Sequence, residues 1–170
     1  MHFTEADLLC VELNPNGKVP TIRIGNFVLW ESNSILRYLY VKYGKELVDL
    51  ESQALVDQWT EWSHEISQEM MFIYPQMLRT PEKDWDVPKL QDSLKKLNDK
   101  WKILDEHLGN KKTDFIMGDS LTVADVAVGS FLHRYYNMKI ERPHLKNVEA
   151  WHKRLAKREG FKEFVQVDLL

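Results

Sequence analysis

The sequence predicts a mainly α protein that carries one short β-hairpin near its start. Three observations point there. Apolar residues recur three or four positions apart along most of the chain, which is the period of a helix with one buried face. Only two β-prone runs stand out, Thr21-Ile22-Arg23-Ile24 and Phe27-Val28-Leu29-Trp30, with Gly25-Asn26 between them. Both connecting residues tolerate positive φ, so the pair reads as a tight hairpin. Finally, 44% of the 170 residues are hydrophobic and 29% charged, a globular balance and not a disordered or fibrous one.

Taken in order, Ile22 and Ile24 share one face of the first strand. After Trp30 the period changes. Ile35, Leu36, Leu39 and Tyr43 fall at helical spacing, with Ser32 as N-cap and Gly44 as the stop. A long helical pattern from Gln53 to Leu78 aligns Leu55, Trp59, Trp62, Ile66, Met70 and Ile73. Pro75 should bend it near its end, because proline removes a backbone donor and crowds the preceding turn. Arg79 to Val87 reads as a loop, and Pro88 can open the next helix. That helix carries Leu90, Leu94, Leu97, Trp101, Leu104 and Leu108 and ends at Gly109-Asn110-Lys111-Lys112. An apolar helix follows from Thr122 to about Asn137. After Pro143 another helix places Leu145, Val148, Trp151 and Leu155 on its apolar side, and Phe161 to Val167 adds a short turn. Trp59, Trp62, Trp101 and Trp151 all lie on these stripes, which assigns them to the core. The helical part can bury a core by itself. The hairpin cannot, since an isolated two-stranded ribbon is marginal in water.

Charge and composition exclude several functions. Lys and Arg total 23 against 26 for Asp and Glu, so nothing electrostatic favours nucleic acid. Residues 1–50 hold five basic and six acidic side chains, residues 51–106 seven and twelve, and residues 107–170 eleven and eight. The basic run Lys153-Arg154-Leu155-Ala156-Lys157-Arg158 is expected to be a solvated face. One cysteine, Cys10, excludes an internal disulfide and a cysteine-rich zinc site, and fits a reducing compartment. The six histidines form no metal-binding pattern. No apolar run approaches the roughly 20 residues of a membrane span, and Met1 to Asp7 has no signal-peptide pattern. The expectation is a soluble, cytoplasmic protein with no metal, no nucleic acid and no membrane partner.

Three segments could carry chemistry. Asn14-Pro15-Asn16-Gly17-Lys18-Val19-Pro20 marks a turn. Pro20 directly before a strand is unusual, since proline cannot donate within a sheet. A cis Val19–Pro20 bond would leave the Val19 backbone groups free to pair with an extended peptide, while a plain loop into a strand is the simpler alternative. In Trp30-Glu31-Ser32-Asn33 a strand gives way to a helix. Exposed amides and a hydroxyl at a helix N-terminus favour a carboxylate, and Glu31 could hold an ammonium group, so together they suit an amino-acid head group. The alternative is that Ser32 only caps the helix. Thr122-Val123-Ala124-Asp125 is a capping box, with Leu121 and Val126 placed for a hydrophobic staple, and reads as structural.

In this order and spacing, the first two segments with Leu29-Trp30-Glu31-Ser32-Asn33-Ser34-Ile35-Leu36-Arg37-Tyr38-Leu39 resemble the glutathione S-transferase family, nearest its bacterial, theta- or beta-like branch. Gly118-Asp119-Ser120-Leu121-Thr122-Val123-Ala124-Asp125 is similar to that family's C-terminal capping motif. Arg142-Pro143-His144-Leu145, Trp151 and Arg154-Leu155 resemble its last-helix region. The resemblance runs from about Leu8 to the C-terminus. It implies a partial thioredoxin-like, glutathione-binding domain over residues 1–45 and an all-α C-terminal domain over residues 51–170. It implies that Val19, before a cis Pro20, pairs with the cysteinyl part of glutathione, and that Glu31 and Ser32 hold the γ-glutamyl head. Asn14 and Lys18 are implied to reach the thiol side or the glycyl carboxylate. The electrophile would lie between the domains, with Met70, Met71, Tyr74 and Tyr135 on its helical wall. The implied reaction is attack of the glutathione thiol on hydrophobic electrophiles, with glutathione as co-substrate and no metal.

One departure stands against the family pattern. Family members begin with a strand-helix-strand unit of roughly 30 or more residues, and only some 13 precede Asn14. The residue that stabilises the thiolate belongs to that unit, and neither Thr4 nor Cys10 takes its place, so no catalytic residue is assigned. Two expectations follow. Activity is reduced or absent, leaving a non-enzymatic glutathione-binding or assembly module as the alternative. An uncovered sheet edge also favours a homodimer or larger assembly.

Overall fold

The computed structural model describes residues 11–44 and 49–166. Cys10 and Thr4 lie outside the described residues. The chain divides into two compact units, Met1–Asp49 and Leu50–Leu170.

In the first unit, strand β1 (Thr21–Ile24) pairs antiparallel with β2 (Phe27–Trp30), Thr21 opposite Trp30 and Ile24 opposite Phe27. Gly25 turns the chain at φ 61°, where a side chain would strain the backbone. Helix α1 (Ser32–Tyr43) packs on the hairpin through buried Ile35 and through the Tyr38 ring, 5.1 Å from that of Phe27. Gly44 ends the helix, donating its N–H to the Tyr40 carbonyl at 2.7 Å. A Cβ there would lie 2.3 Å from that same oxygen, so no larger residue fits. The helix starts differently from expectation. Its first bond runs from the Ile35 amide to the Glu31 carbonyl (2.9 Å), which makes Glu31 the N-cap and Ser32 the first helical residue. Among the described residues the sheet has these two strands, so β1 is paired on one side.

The second unit is all helical. It comprises α2 (Leu50–Arg79), a 3-10 turn (Glu82–Asp84), α3 (Val87–Lys111), α4 (Val123–Gly129), α5 (Leu132–Asn137), α6 (Lys146–Leu155) and α7 (Glu159–Phe164). Helix α2 packs against α3 and α4, and α3 against α6. Ile66, Ile73, Leu97, Trp101, Leu104, Val128, Tyr135 and Trp151 fill the core. Helix α3 opens as its sequence suggests: the Asp86 side chain accepts from the Lys89 amide, and Pro88 sits in the first turn.

Four details correct the sequence reading. The first half of α2 buries Val56, Thr60 and Ser63, not Leu55, Trp59 and Trp62. Thr60 and Ser63 donate their hydroxyls to carbonyls of their own helix at 2.8 and 2.6 Å, so these short polar side chains can face the core without unpaired groups. Trp59 and Trp62 are therefore only half-buried, edge-on to each other, with His107 against Trp59. Second, α2 begins at Leu50, three residues before the expected Gln53, and runs through Pro75 to Arg79, where the Pro75 carbonyl accepts from the Thr80 amide. Third, α3 ends within the expected stretch 109–112, but at its last residues: it passes through Gly109 and closes with Lys112 as C-cap, at φ 55°. Gly109 serves packing instead: a Cβ would sit 2.7 Å from Asn147 Nδ2. Fourth, the helix expected over residues 122–137 breaks at Ser130-Phe131, where the Ser130 hydroxyl bonds back to the Ala127 carbonyl at 2.9 Å.

Candidate functional site

The turn before β1 is built around Asn14, which is buried. Its Oδ1 accepts from the Asn16 amide and Asn16 Nδ2 at 3.0 and 3.1 Å. Its Nδ2 donates to the Lys18 carbonyl and to Thr21 Oγ1 at 2.8 and 3.2 Å. Both amide hydrogens are thus spent inside the loop, so Asn14 shapes the turn and does not point a donor outward. Gly17 closes it at φ 59°. Val19 is 84% exposed, and the Val19–Pro20 peptide is cis. The β1 ladder begins at Thr21, which leaves the Val19 N–H and C=O outside it.

Glu31 and Ser32 follow the second strand of the same hairpin. Because Thr21 faces Trp30, Val19-Pro20 and Glu31-Ser32 leave the hairpin at the same end. Both side chains are exposed. Glu31 holds φ 71° and ψ 119°, a conformation that costs an L-residue about 1–3 kcal/mol. The first-turn amides beyond it form the positive end of the α1 dipole, which favours an anion.

In the helical unit, a cavity of about 320 Å³ opens beside α2. Met70, Met71 and Tyr74 line it, together with Arg79, Phe131 and Arg134. Tyr135 does not. It is fully buried, its ring 5.3 Å from that of Trp101, and its hydroxyl donates to Asn98 Oδ1 at 2.7 Å. Burial pushes that hydroxyl's pKa far up. The neighbouring positions Phe131 and Arg134, three apart across the break into α5, reach the cavity instead. Their spacing was available in the sequence, but the break that turns them outward was not.

Asp125 ties the helical unit together. Fully buried, it accepts from the Ile116 amide (2.9 Å), the Thr122 amide (2.8 Å) and hydroxyl (3.0 Å), and the Trp151 indole N–H (2.9 Å). Burial pushes its carboxyl pKa up, and these donors pull it back. With Thr122 it forms the capping box of α4. Among the described residues, no group of three or more His, Cys, Asp or Glu is placed to hold a metal, and no helix is long and apolar enough to cross a membrane.

Comparison with known proteins agrees with this architecture. Residues 4–41 match the profile of the glutathione S-transferase N-terminal domain, and residues 72–168 that of the C-terminal domain. Glutathione S-transferase GstB of Escherichia coli (strain K12) is 29% identical over 169 residues, covering 96% of this chain and 79% of the relative. The theta class glutathione S-transferase from Xanthomonas axonopodis pv. citri, solved with glutathione bound, is 31% identical with a TM-score of 0.87, over 94% of this chain and 78% of that one. Its apo form aligns at 28% identity and a TM-score of 0.83, over 97% and 92%. The chain belongs to the glutathione S-transferase family. Its fold is that family's, a short thioredoxin-like part followed by a helical domain.

Proposed function

We propose that this protein binds glutathione at the open end of its hairpin and joins the thiol to a hydrophobic electrophile at a reduced rate, since no thiolate-stabilising residue is assigned. The observation that carries the reading is the pairing register, which brings Val19 and the strained Glu31-Ser32 corner to one end of the hairpin. The γ-glutamyl carboxylate would take the α1 N-terminus and the Ser32 hydroxyl, and its ammonium the Glu31 carboxylate. The cysteinyl backbone would pair with the N–H and C=O of Val19 as an added strand segment. Lys18 is suited to the glycyl carboxylate. Asn14 acts through the turn, as a positioning residue. Met70, Met71 and Tyr74 offer the acceptor an apolar wall. In the reaction a sulfur–carbon bond forms as the leaving group departs with its electron pair. The reducing cytoplasm, where glutathione is kept as the thiol, is the fitting compartment.

Titration of the full chain with glutathione by calorimetry tests this. Saturable heat is expected, and Glu31→Ala should weaken it about tenfold by removing a charged partner. A flat titration would overturn the reading and leave a non-enzymatic assembly module. We also propose that copies of the chain associate, since Leu55 and Ile103 are 46% and 50% exposed beside half-buried Trp59 and Trp62. Light scattering at micromolar concentration should give at least twice the chain mass, and a monomeric mass would refute it.

A further inference from the structure

We propose that the cavity beside α2 selects acceptors that are both apolar and negatively charged, such as an aromatic electrophile bearing a carboxylate. The identity of the reaction rests on the function proposed above, whereas the binding preference does not.

The cavity combines two chemistries. Met70, Met71, Tyr74 and Phe131 supply apolar and aromatic surface, and about 320 Å³ suits a single substituted ring. Arg79 and Arg134 add two guanidinium groups, and no acidic residue lines the space. The Arg134 guanidinium stands over the Tyr74 ring, 5.5 Å from its centroid. That contact holds the cation at the apolar wall and leaves its N–H groups for an acceptor.

No carboxylate lines the cavity to neutralise these two arginines. Five other basic side chains of the helical unit are engaged by protein oxygens. Lys96 meets Asp92 at 2.7 Å, Lys100 meets Glu65 at 2.5 Å, and Lys102 meets Asp99 at 2.8 Å. Arg154 lies 3.6 Å from Asp114, and Arg142 donates to the carbonyls of Tyr135, Tyr136, Met138 and Ile140. Among the described residues, neither Arg79 nor Arg134 has an ion pair of this kind. A carboxylate seated on aromatic surface would meet the planar fork of Arg with directed hydrogen bonds, while its ring replaces water against Met70 and Phe131.

A matched pair of acceptors tests the inference: 4-chloro-3-nitrobenzoate and its neutral methyl ester. Both carry the same reacting carbon. Glutathione sulfur bonds to that carbon, chloride leaves with the bonding electrons, and the thiol proton passes to solvent. Binding of each to the full chain is measured by calorimetry without glutathione. The carboxylate is expected to bind about fivefold more tightly than the ester, with the advantage shrinking as salt rises. In Arg79→Gln/Arg134→Gln the ratio should fall toward one, and Arg79→Lys/Arg134→Lys should keep part of it. Equal affinities in the natural protein, or a preference that survives both salt and the Gln variant, would overturn the inference. The salt series on the natural protein decides the matter even where a variant does not fold. A glutathione titration without heat would sink the proposed reaction and leave this preference standing. Saturable glutathione binding with no charge preference would do the reverse.

Discussion

Asp125 shows how much one side chain can hold. Its two oxygens connect the loop at Ile116, the cap of α4 at Thr122 and the indole of Trp151 on α6. Asp125→Ala would leave buried donors without an acceptor, each costing about 1–3 kcal/mol. Urea unfolding should therefore show a loss of about 3 kcal/mol or more, and a loss under 1 kcal/mol would mean that water replaces the carboxylate. His152 makes a pH-dependent contribution. Its ring stacks on Tyr136 at 4.9 Å, and its Nε2 is buried with no partner. Burial, and to a lesser degree the charge of His133, holds its pKa below the ordinary 6.5. The folded state thus binds this proton less tightly than the unfolded chain. The stabilisation is complete above about pH 6.5 and is lost as pH falls through the folded value. Thermal midpoints of the natural protein should drop more steeply below that pH than those of His152→Phe. Parallel curves would refute the assignment.

At the scale of elements, the sequence pattern was reliable where burial is one-sided and misleading where small residues meet closely. The stripe from Leu90 to Leu108 and the hairpin around Gly25-Asn26 formed where their periods placed them. Gly109 opens the stretch 109–112 that reads as the helix end, yet it lies within α3, and the space its missing Cβ leaves is filled by Asn147. Asn147 is fixed by three bonds to Asp105, between 2.8 and 3.0 Å, and cannot yield. Alanine normally gains about 1 kcal/mol over glycine inside a helix. The clash at 2.7 Å, with the cost of overpacking at about 1–3 kcal/mol, should reverse that sign. Gly109→Ala is expected to lower stability by about 1 kcal/mol in denaturant unfolding, and a stabilised variant would show that Asn147 moves aside. The displaced stripe of α2 has the same origin. Thr60 and Ser63 look polar in sequence, and only their bonds to the preceding turn make them fit for burial.

For the whole molecule, the helical unit contains its own core, its own capping box and the Asp125 hub. The hairpin and α1 leave Ile24, Phe27 and Trp30 each more than a third exposed. Residues 50–170 expressed alone should unfold cooperatively on heating, with helical circular dichroism. A broad, non-cooperative melt would show that the core needs the first unit. The same imbalance explains what could be read in advance of the site. Glu31-Ser32 and Val19-Pro20 are local motifs, recognisable because a helix start and a strand entry have fixed residue preferences. The cavity is not local, since it joins α2 to the break between α4 and α5.

By itself the sequence determined the helices and the hairpin, through hydrophobic period and turn residues, and it determined the family, through motif order. Tertiary structure alone decided which polar residues are buried, that Tyr135 belongs to the core while Arg134 faces the cavity, and that Gly109 is a crossing point. Those outcomes depend on atoms far apart in the chain meeting within a few ångströms. No local preference encodes that distance.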